Sequence, residues 1–141
     1  MTKSEDNRLV VEAFWDDLYR QDLVAAAARF SADGTYTDAE TPEDDIARGP
    51  DEIVRRLTLA FAKLSELRDE RRHLVAGETA VMTEHVECWA WPSGQTMALP
   101  VASVHEVVDG KITRWCDYWD MNVLLAAAPQ WWVEHVMVGW K

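Results

Sequence analysis

The second half of the chain carries strand patterns in close succession, and this constrains the fold more than any other feature. Polar and apolar residues alternate there over four stretches, and a strand sends successive side chains to opposite faces. The turns Pro92-Ser93-Gly94 and Asp109-Gly110 separate the last three stretches, and the second is a strong two-residue hairpin signal. We therefore predict antiparallel strands. They cover residues 73–76, 81–91, 96–108 and 112–121.

The first half shows helical spacing instead. Apolar residues recur there every three or four positions, as on the buried face of a helix. Asp22 is placed to cap a second helix, and Gly49-Pro50 starts a third. Helices followed by a meander predict an α+β fold, in which three N-terminal helices pack on one face of a curved, mostly antiparallel sheet that encloses a cone. The predicted helices cover residues 7–21, 22–30 and 49–64, and residues 31–34 form a turn before a short strand at 35–38.

The length of 141 residues suits one domain with a sizeable core. No linker or repeat divides the chain, so we expect a single domain over residues 1–141. The tail after Met121 is apolar, and Pro129 breaks it into two pieces. We expect this tail to close the mouth of the cone or to pack against a second subunit, and a homodimer is the commonest closed assembly.

Charge and cysteine content restrict the partners and the compartment. The formal net charge of -11 repels phosphate backbones, and no basic stripe reverses it locally. The N-terminus is polar, and no apolar run approaches the length of a membrane span. The two cysteines, Cys88 and Cys116, leave no disulfide framework, which is consistent with a reducing compartment. We expect a soluble cytoplasmic protein that binds neither nucleic acid nor a membrane.

Two of the predicted strands place ionisable residues among tryptophans. His85 and Glu87 share a face by the two-residue period, and Asp117 lies on the corresponding face of the last strand. If the two faces meet, they line a pocket, and ionisable groups in an apolar setting have shifted pKa values and serve chemistry. The alternative is a solvated sheet face, which rarely carries so much aromatic surface. The tryptophans on these faces are Trp89, Trp91, Trp115 and Trp119.

Two other interpretations of the polar residues have less support. Asp38, His85, Glu87 and Asp117 could supply metal ligands, but they have no local metal-ligand spacing, so we expect no metal and no cofactor. Ser103 with a histidine two residues later suggests a nucleophile and a base, yet no nucleophile elbow accompanies them.

Several local strings resemble a known family. Asp33-Gly34-Thr35-Tyr36, the helix start Arg48-Gly49-Pro50-Asp51-Glu52-Ile53 and the terminal hairpin together are similar to the SnoaL-like branch of the NTF2-like superfamily. The resemblance covers nearly the whole chain and implies the cone-shaped fold. That scaffold hosts hydrolases, isomerases, cyclases, dehydratases and non-catalytic binders, so the site must decide the function.

Within that branch, the limonene-1,2-epoxide hydrolase family is the nearest local match. Its last strand resembles residues 115–120, which implies that Asp117 is the general base. Its Tyr-x-Asn element, which helps hold the attacking water, falls on Tyr36-Thr37-Asp38, with an acid in place of the amide. Its Arg-Val-Asp strand falls on His85-Val86-Glu87, which keeps the spacing and changes both functional residues. Histidine titrates near neutrality and lacks the fixed fork of arginine.

Three functions remain open from the sequence. The first is a cofactor-independent epoxide hydrolase with Asp117 as base, in which Glu87, His85, Tyr36 and Asp38 assist. The second keeps Asp117 as base but abstracts a proton from carbon, as in polyketide cyclases or ketosteroid isomerases of this superfamily. The third is a binding module in which the aromatic cone holds an apolar ligand without turnover or forms a dimer interface. In the first hypothesis the substrate is a small hydrophobic molecule held by Trp89, Trp115 and Trp119.

Overall fold

The computed structural model describes residues 1–141, which form five α-helices, one short 3-10 helix at Glu43–Asp45 and six strands. The helices are α1 (Lys3–Tyr19), α2 (Leu23–Ala27), α3 (Gly49–Phe61), α4 (Met121–Ala127) and α5 (Gln130–Met137). The strands are β1 (Phe30–Asp38), β2 (Ala47–Arg48), β3 (Glu66–Ala76), β4 (Ala80–Ala90), β5 (Thr96–Val108) and β6 (Lys111–Tyr118).

The strands form one sheet in the order β2-β1-β6-β5-β4-β3. Neighbouring strands run antiparallel except β1 and β6, which are parallel. This confirms the predicted α+β class, the three N-terminal helices and the mostly antiparallel sheet. The pairing register skips one residue at Arg72 on β3 and one at Thr113 on β6, opposite Glu106 and Val107 of β5, and such bulges bend a strand and increase its twist.

Helix α1 begins at Lys3, earlier than the apolar spacing predicts. The reason is a capping box: the Glu5 amide donates to Thr2 Oγ1 at 3.2 Å, and the Thr2 amide donates to Glu5 Oε2 at 2.8 Å. These two bonds satisfy amides that the first helical turn would otherwise leave unpaired. Asp22 caps α2 as predicted, through the Ala25 amide at 3.1 Å.

Residues 31–34, predicted as a turn, belong to strand β1, which begins at Phe30, but they interrupt its pairing with β6, whose register shifts between Phe30 and Thr35. Gly34 allows β1 to pass close to β6 at this point. A Cβ atom on Gly34 would lie 2.9 Å from the Ile112 carbonyl oxygen and 3.1 Å from the Phe30 ring, which is closer than van der Waals packing tolerates. The glycine therefore reflects a close backbone approach.

Strand β3 is also longer than predicted. Its first seven residues, Glu66–Arg72, are mostly charged, but they pair with β4 along the edge of the sheet. An edge strand tolerates charged side chains, which also discourage pairing with other molecules. Leu67 is the buried residue in this stretch, and Asp69 is half-buried.

The C-terminal tail is divided at Pro129, as predicted, and each piece forms a helix. Strand β6 ends at Tyr118, earlier than predicted, because Asp120 caps α4 through the Asn122 amide at 2.9 Å. Helix α5 packs beside α3, where the Trp132 indole N–H donates to the Ala60 carbonyl at 3.2 Å. No helix of the protein combines the length and the apolar character needed to cross a membrane.

Candidate active site

A cavity of about 430 Å³ lies between the sheet, helix α3 and the two C-terminal helices. Its walls are mainly apolar, with a few polar groups on the sheet and on α3, as is usual for sites that bind small molecules. Apolar members of the lining include Leu59, Phe61, Leu99, Leu124, Trp132 and Val136. Polar members of the lining include Tyr36, Asp38, Glu87 and Asp117 on the sheet and Arg56 on α3.

Asp117 lies near the end of β6 and is 6% exposed. Its Oδ1 atom accepts hydrogen bonds from Ser103 Oγ and from Trp115 Nε1, each at 2.6 Å. Its Oδ2 atom has no hydrogen-bond partner in the protein, and the side chain lines the cavity. Burial raises the pKa of Asp117 well above its ordinary value, and the charges of Asp38 and Glu87 raise it further.

Glu87 lies on β4 and is 4% exposed. Its Oε2 atom accepts a hydrogen bond from the Tyr19 hydroxyl at 3.1 Å, whereas Oε1 has no partner in the protein. Burial raises the pKa of Glu87 from 4.5 to about 7, against the opposing effects of His85 and of the Tyr19 hydrogen bond. Glu87 can therefore carry a proton at neutral pH, as a general acid must.

His85 is 1% exposed and does not line the cavity. Its Nε2 atom lies 3.0 Å from Ser103 Oγ, and its Nδ1 atom lies 3.0 Å from Asp69 Oδ1 and 3.1 Å from the Tyr19 hydroxyl. The sequence suggested that His85 assists Glu87 and Asp117 directly. In the structure it lies behind both carboxyl groups and reaches each through an intervening hydroxyl.

Asp38 is the last residue of strand β1, and both of its carboxylate oxygens accept hydrogen bonds. Its Oδ2 atom accepts from Arg56 Nη2 at 2.9 Å, and its Oδ1 atom accepts from Trp119 Nε1 at 2.9 Å. Burial still raises the pKa of Asp38, although Arg56 lowers it. The Arg56 guanidinium also lies 4.7 Å from the centre of the Tyr36 ring. The Tyr36 hydroxyl has no partner in the protein, so it is free to bond a ligand.

The three predicted substrate-binding tryptophans occupy two kinds of position. Trp89 and Trp119 line the cavity. Trp115 does not, because its indole N–H donates to Asp117 and its ring stacks on Tyr36, with ring centres 3.9 Å apart. The structure therefore places Trp115 behind the polar wall, where it supports Asp117 and Tyr36.

Sequence reasoning did not connect four polar residues with the predicted ones that they contact, although it considered Ser103 in another role. Ser103 lies directly opposite Asp117 in the β5–β6 pairing. Tyr19 comes from the last turn of α1 and Asp69 from the edge strand, so neither carries a local signal. Arg56 is only 13% exposed, and a buried cation on a helix needs an anionic partner, but the sequence does not say which.

The structure also places the other two constellations considered from the sequence. Ser103 does not pair with His105, since His105 Nδ1 lies 3.2 Å from the Val81 carbonyl oxygen. Burial lowers the pKa of His105 to about 3, so this histidine stays neutral. No three His, Cys, Asp or Glu side chains converge as a set of metal ligands.

Helices packed on one side of a mostly antiparallel six-stranded sheet give an α+β fold, which is shared with an NTF2-like protein from Burkholderia pseudomallei K96243. The chain belongs to the SnoaL-like domain family, whose model matches residues 11–115. This range includes His85 and Glu87 and ends just before Asp117.

Solved structures of several kinds share the fold. An LEH-like epoxide hydrolase from M. tuberculosis gives a TM-score of 0.75 at 23% identity, over 89% of this chain and 90% of that one. A hypothetical protein with a ketosteroid isomerase-like fold from Catenulispora acidiphila DSM 44928, in complex with trimethylamine, gives a TM-score of 0.73 at 22% identity, over 83% of this chain and 89% of that one. A protein from Xanthomonas campestris pv. campestris, described as a candidate polyketide cyclase, gives a TM-score of 0.74 at 22% identity, over 89% of this chain and 98% of that one. At these identities the likeness establishes the fold alone.

Proposed function

We propose that this protein is a cofactor-independent hydrolase that adds water to a small hydrophobic epoxide. One observation carries the proposal. Asp117 and Glu87 lie on the same cavity wall, and each has one oxygen bound by the protein and the other without a protein partner. Two carboxyl groups held in this way can act on one substrate as base and acid.

Epoxide opening by water needs both roles. The base takes a proton from water as the water oxygen bonds to an epoxide carbon, the carbon–oxygen bond breaks, and the acid gives a proton to the departing oxygen. The product is a diol. One proton arrives on Asp117 and one leaves Glu87, so the reaction balances without any further reactant.

The hydrogen bonds favour one distribution of the two roles. Asp117 Oδ1 accepts two donors at 2.6 Å, whereas Glu87 Oε2 accepts one at 3.1 Å. Donors stabilise the ionised form of a carboxyl group, and two interacting carboxyl groups share their protons as a pair. We therefore place the negative charge on Asp117 and the proton on Glu87. Once Glu87 is protonated, its charge no longer raises the pKa of Asp117, although burial and the charge of Asp38 still raise it.

The remaining groups suit the binding of water and an apolar substrate. The Tyr36 hydroxyl is free to bond the attacking water or the epoxide oxygen. One carboxylate oxygen of Asp38 accepts from Arg56 and the other from Trp119. Asp38 therefore contributes a fixed negative charge and does not act as a base. Trp89 and the helical side chains of the cavity would contact the hydrocarbon part of the substrate. The fold is shared with an LEH-like epoxide hydrolase, so the scaffold is compatible with this reaction class.

The direct test supplies a panel of aliphatic and cyclic epoxides in ¹⁸O-labelled water and follows labelled diol by mass spectrometry. Wild-type protein should form diol, and Asp117→Asn should lower the rate by about 10²- to 10⁴-fold, the usual contribution of a general base. Asp120→Asn is the matched control, because Asp120 is exposed and asparagine caps a helix equally well. Diol formation by Asp117→Asn at the wild-type rate would refute the role of Asp117.

A second candidate is proton abstraction next to a carbonyl group, as a cyclase or isomerase performs it. The observation that favours it is the unpartnered Tyr36 hydroxyl on the same wall as Asp117 and Glu87, since such a donor can bind the enolate oxygen. Exchange of substrate hydrogen for deuterium from solvent, without diol formation, would favour this candidate. If ligands bind equally well to wild type and Asp117→Asn and no turnover appears, the protein is a binding module.

A further inference from the structure

A continuous row of hydrogen-bonding groups runs behind the cavity wall from β3 to β6. Asp69 Oδ1 lies 3.0 Å from His85 Nδ1, His85 Nε2 lies 3.0 Å from Ser103 Oγ, and Ser103 Oγ lies 2.6 Å from Asp117 Oδ1. The Asp69 side chain is 18% exposed and that of His85 is 1% exposed. The row therefore begins at the protein surface and ends at the candidate base.

The donors and acceptors in this row fit only one arrangement when Asp117 and Asp69 are both ionised. The Ser103 hydroxyl has one proton, and a carboxylate has only acceptors, so Ser103 must donate to Asp117. The contact between Ser103 and His85 then needs a proton on Nε2. The carboxylate of Asp69 needs a proton on Nδ1. A ring that donates from both nitrogens is an imidazolium, and it forms a partly buried ion pair with Asp69.

The same ring also reaches the second carboxyl group. The Tyr19 hydroxyl oxygen lies 3.1 Å from His85 Nδ1, and its proton is donated to Glu87 Oε2 at 3.1 Å. This bond is compatible with a Glu87 that carries its own proton on Oε1, toward the cavity. His85 is thus positioned to orient one hydroxyl toward each carboxyl group.

We propose that Asp69 and His85 form a partly buried ion pair that acts through the Ser103 hydroxyl to hold Asp117 in the carboxylate form that a base requires. The proposal rests on the proposed function of Asp117 as a base and explains how Asp117 stays ionised in an apolar site. Asp69, His85 and Ser103 are positioning residues, because none of them lines the cavity.

Other titratable groups lie near Asp117 and His85, and the experiment must distinguish their effects on the pKa of Asp117 from the effect of the ion pair. Asp38 and Glu87 raise the pKa of Asp117, whereas the hydrogen bonds from Ser103 and Trp115 lower it. Removal of the Ser103 hydroxyl should therefore raise the pKa of Asp117 further. The groups that face Asp117 or His85 are Tyr19 of α1, Tyr36 and Asp38 of β1, Arg56 of α3, Asp69 of β3, Glu87 of β4 and His105 of β5.

The experiment follows the carboxyl carbons by NMR in protein labelled with ¹³C at aspartate Cγ, without substrate, and Asp117→Asn identifies the Asp117 signal. Ser103→Ala should raise the titration midpoint of Asp117 by about one pH unit or more, since a hydrogen bond to a charged group is lost. Ser103→Thr keeps the hydroxyl and should restore the midpoint. Asp69→Asn should move the midpoint in the same direction as Ser103→Ala.

The matched control is Thr83→Val. Thr83 lies directly opposite Ser103 in the β4–β5 pairing, and its buried hydroxyl has no hydrogen-bond partner. This variant loses a buried hydroxyl from the same layer and should leave the midpoint of Asp117 unchanged. An unchanged midpoint in Ser103→Ala, or an equal shift in Thr83→Val, would overturn the proposal.

A second measurement tests the ring itself. The ¹⁵N side-chain signals of His85, assigned with His85→Gln, should show protons on both nitrogens where Asp117 is ionised. A single neutral tautomer in that pH range would also overturn the proposal. The two proposals can fail separately. If Ser103→Ala shifts the titration midpoint of Asp117 but the protein forms no diol, the epoxide reaction is refuted and the ion pair stands. If the midpoint does not shift but the protein forms diol, the ion pair is refuted and the epoxide reaction stands.

Discussion

Glu87→Gln should make the protein more stable at pH 8 and leave its stability nearly unchanged at pH 4.5. The reason is the buried position of Glu87, which raises its pKa in the folded protein to about 7 from an ordinary value of 4.5. Glutamine has nearly the same shape as a protonated glutamate and keeps an acceptor for the Tyr19 hydroxyl. The substitution therefore removes the ionised form without opening a cavity.

The direction follows from proton binding. Between pH 4.5 and about 7, folded Glu87 holds a proton that the unfolded chain has released, so the free energy of unfolding falls as the pH rises through this window. Above about pH 7 the loss is complete. Each pH unit of difference corresponds to about 1.4 kcal/mol, so the interval from 4.5 to about 7 gives a penalty of about 3 kcal/mol. The advantage of Glu87→Gln should grow from near zero at pH 4.5 to about this value at pH 8.

Urea denaturation of both proteins at pH 4.5, 6 and 8 measures the effect. Glu84→Gln is the matched control, because Glu84 lies on the same strand with its side chain exposed, and exposed charges contribute little to stability. Its stability difference from wild type should stay small at all three pH values. A Glu87→Gln protein that is less stable than wild type at pH 8, or equally changed at every pH, would refute the reasoning.

Three further predictions concern other parts of the molecule. Thr83→Val should raise the free energy of unfolding by about 1 kcal/mol, because a buried hydroxyl without a partner is removed, and a lower urea midpoint would contradict this. Arg56→Met should destabilise the protein by about 3 kcal/mol, since Asp38 loses its buried cation. The loss of stability should be smaller at pH 4.5 than at pH 8, because the unpaired Asp38 can take up a proton more easily at the lower pH. Sedimentation velocity should show a homodimer, as expected from the apolar tail, and a monomer at every concentration would remove that expectation.

The sequence by itself determined the class of fold and the side of the sheet on which the candidate residues lie. The two-residue alternation places Glu87 and Trp89 on the buried face of β4, where both are found. Asp109 and Gly110 have the positive φ angles, 49° and 77°, that the predicted tight hairpin requires. These features depend on neighbours in the chain, so a local pattern is sufficient to predict them.

Only the tertiary structure decided which groups touch. Counting from the Asp109-Gly110 turn would place Asp117 opposite Ala102, but the bulge at Thr113 shifts the register by one residue and brings Ser103 opposite Asp117. No sequence pattern in this chain marks that bulge.

The partners of His85 come from still farther away. Tyr19 approaches from α1 and Asp69 from the edge strand, and their distance in sequence leaves no local signal. The direction in which a side chain points follows from backbone geometry over a few residues. Its partners depend on strand register and helix packing, which involve the whole chain. For this reason the sequence pointed to Glu87 and Asp117 as candidates, whereas only the structure showed which hydrogen-bond donors contact them.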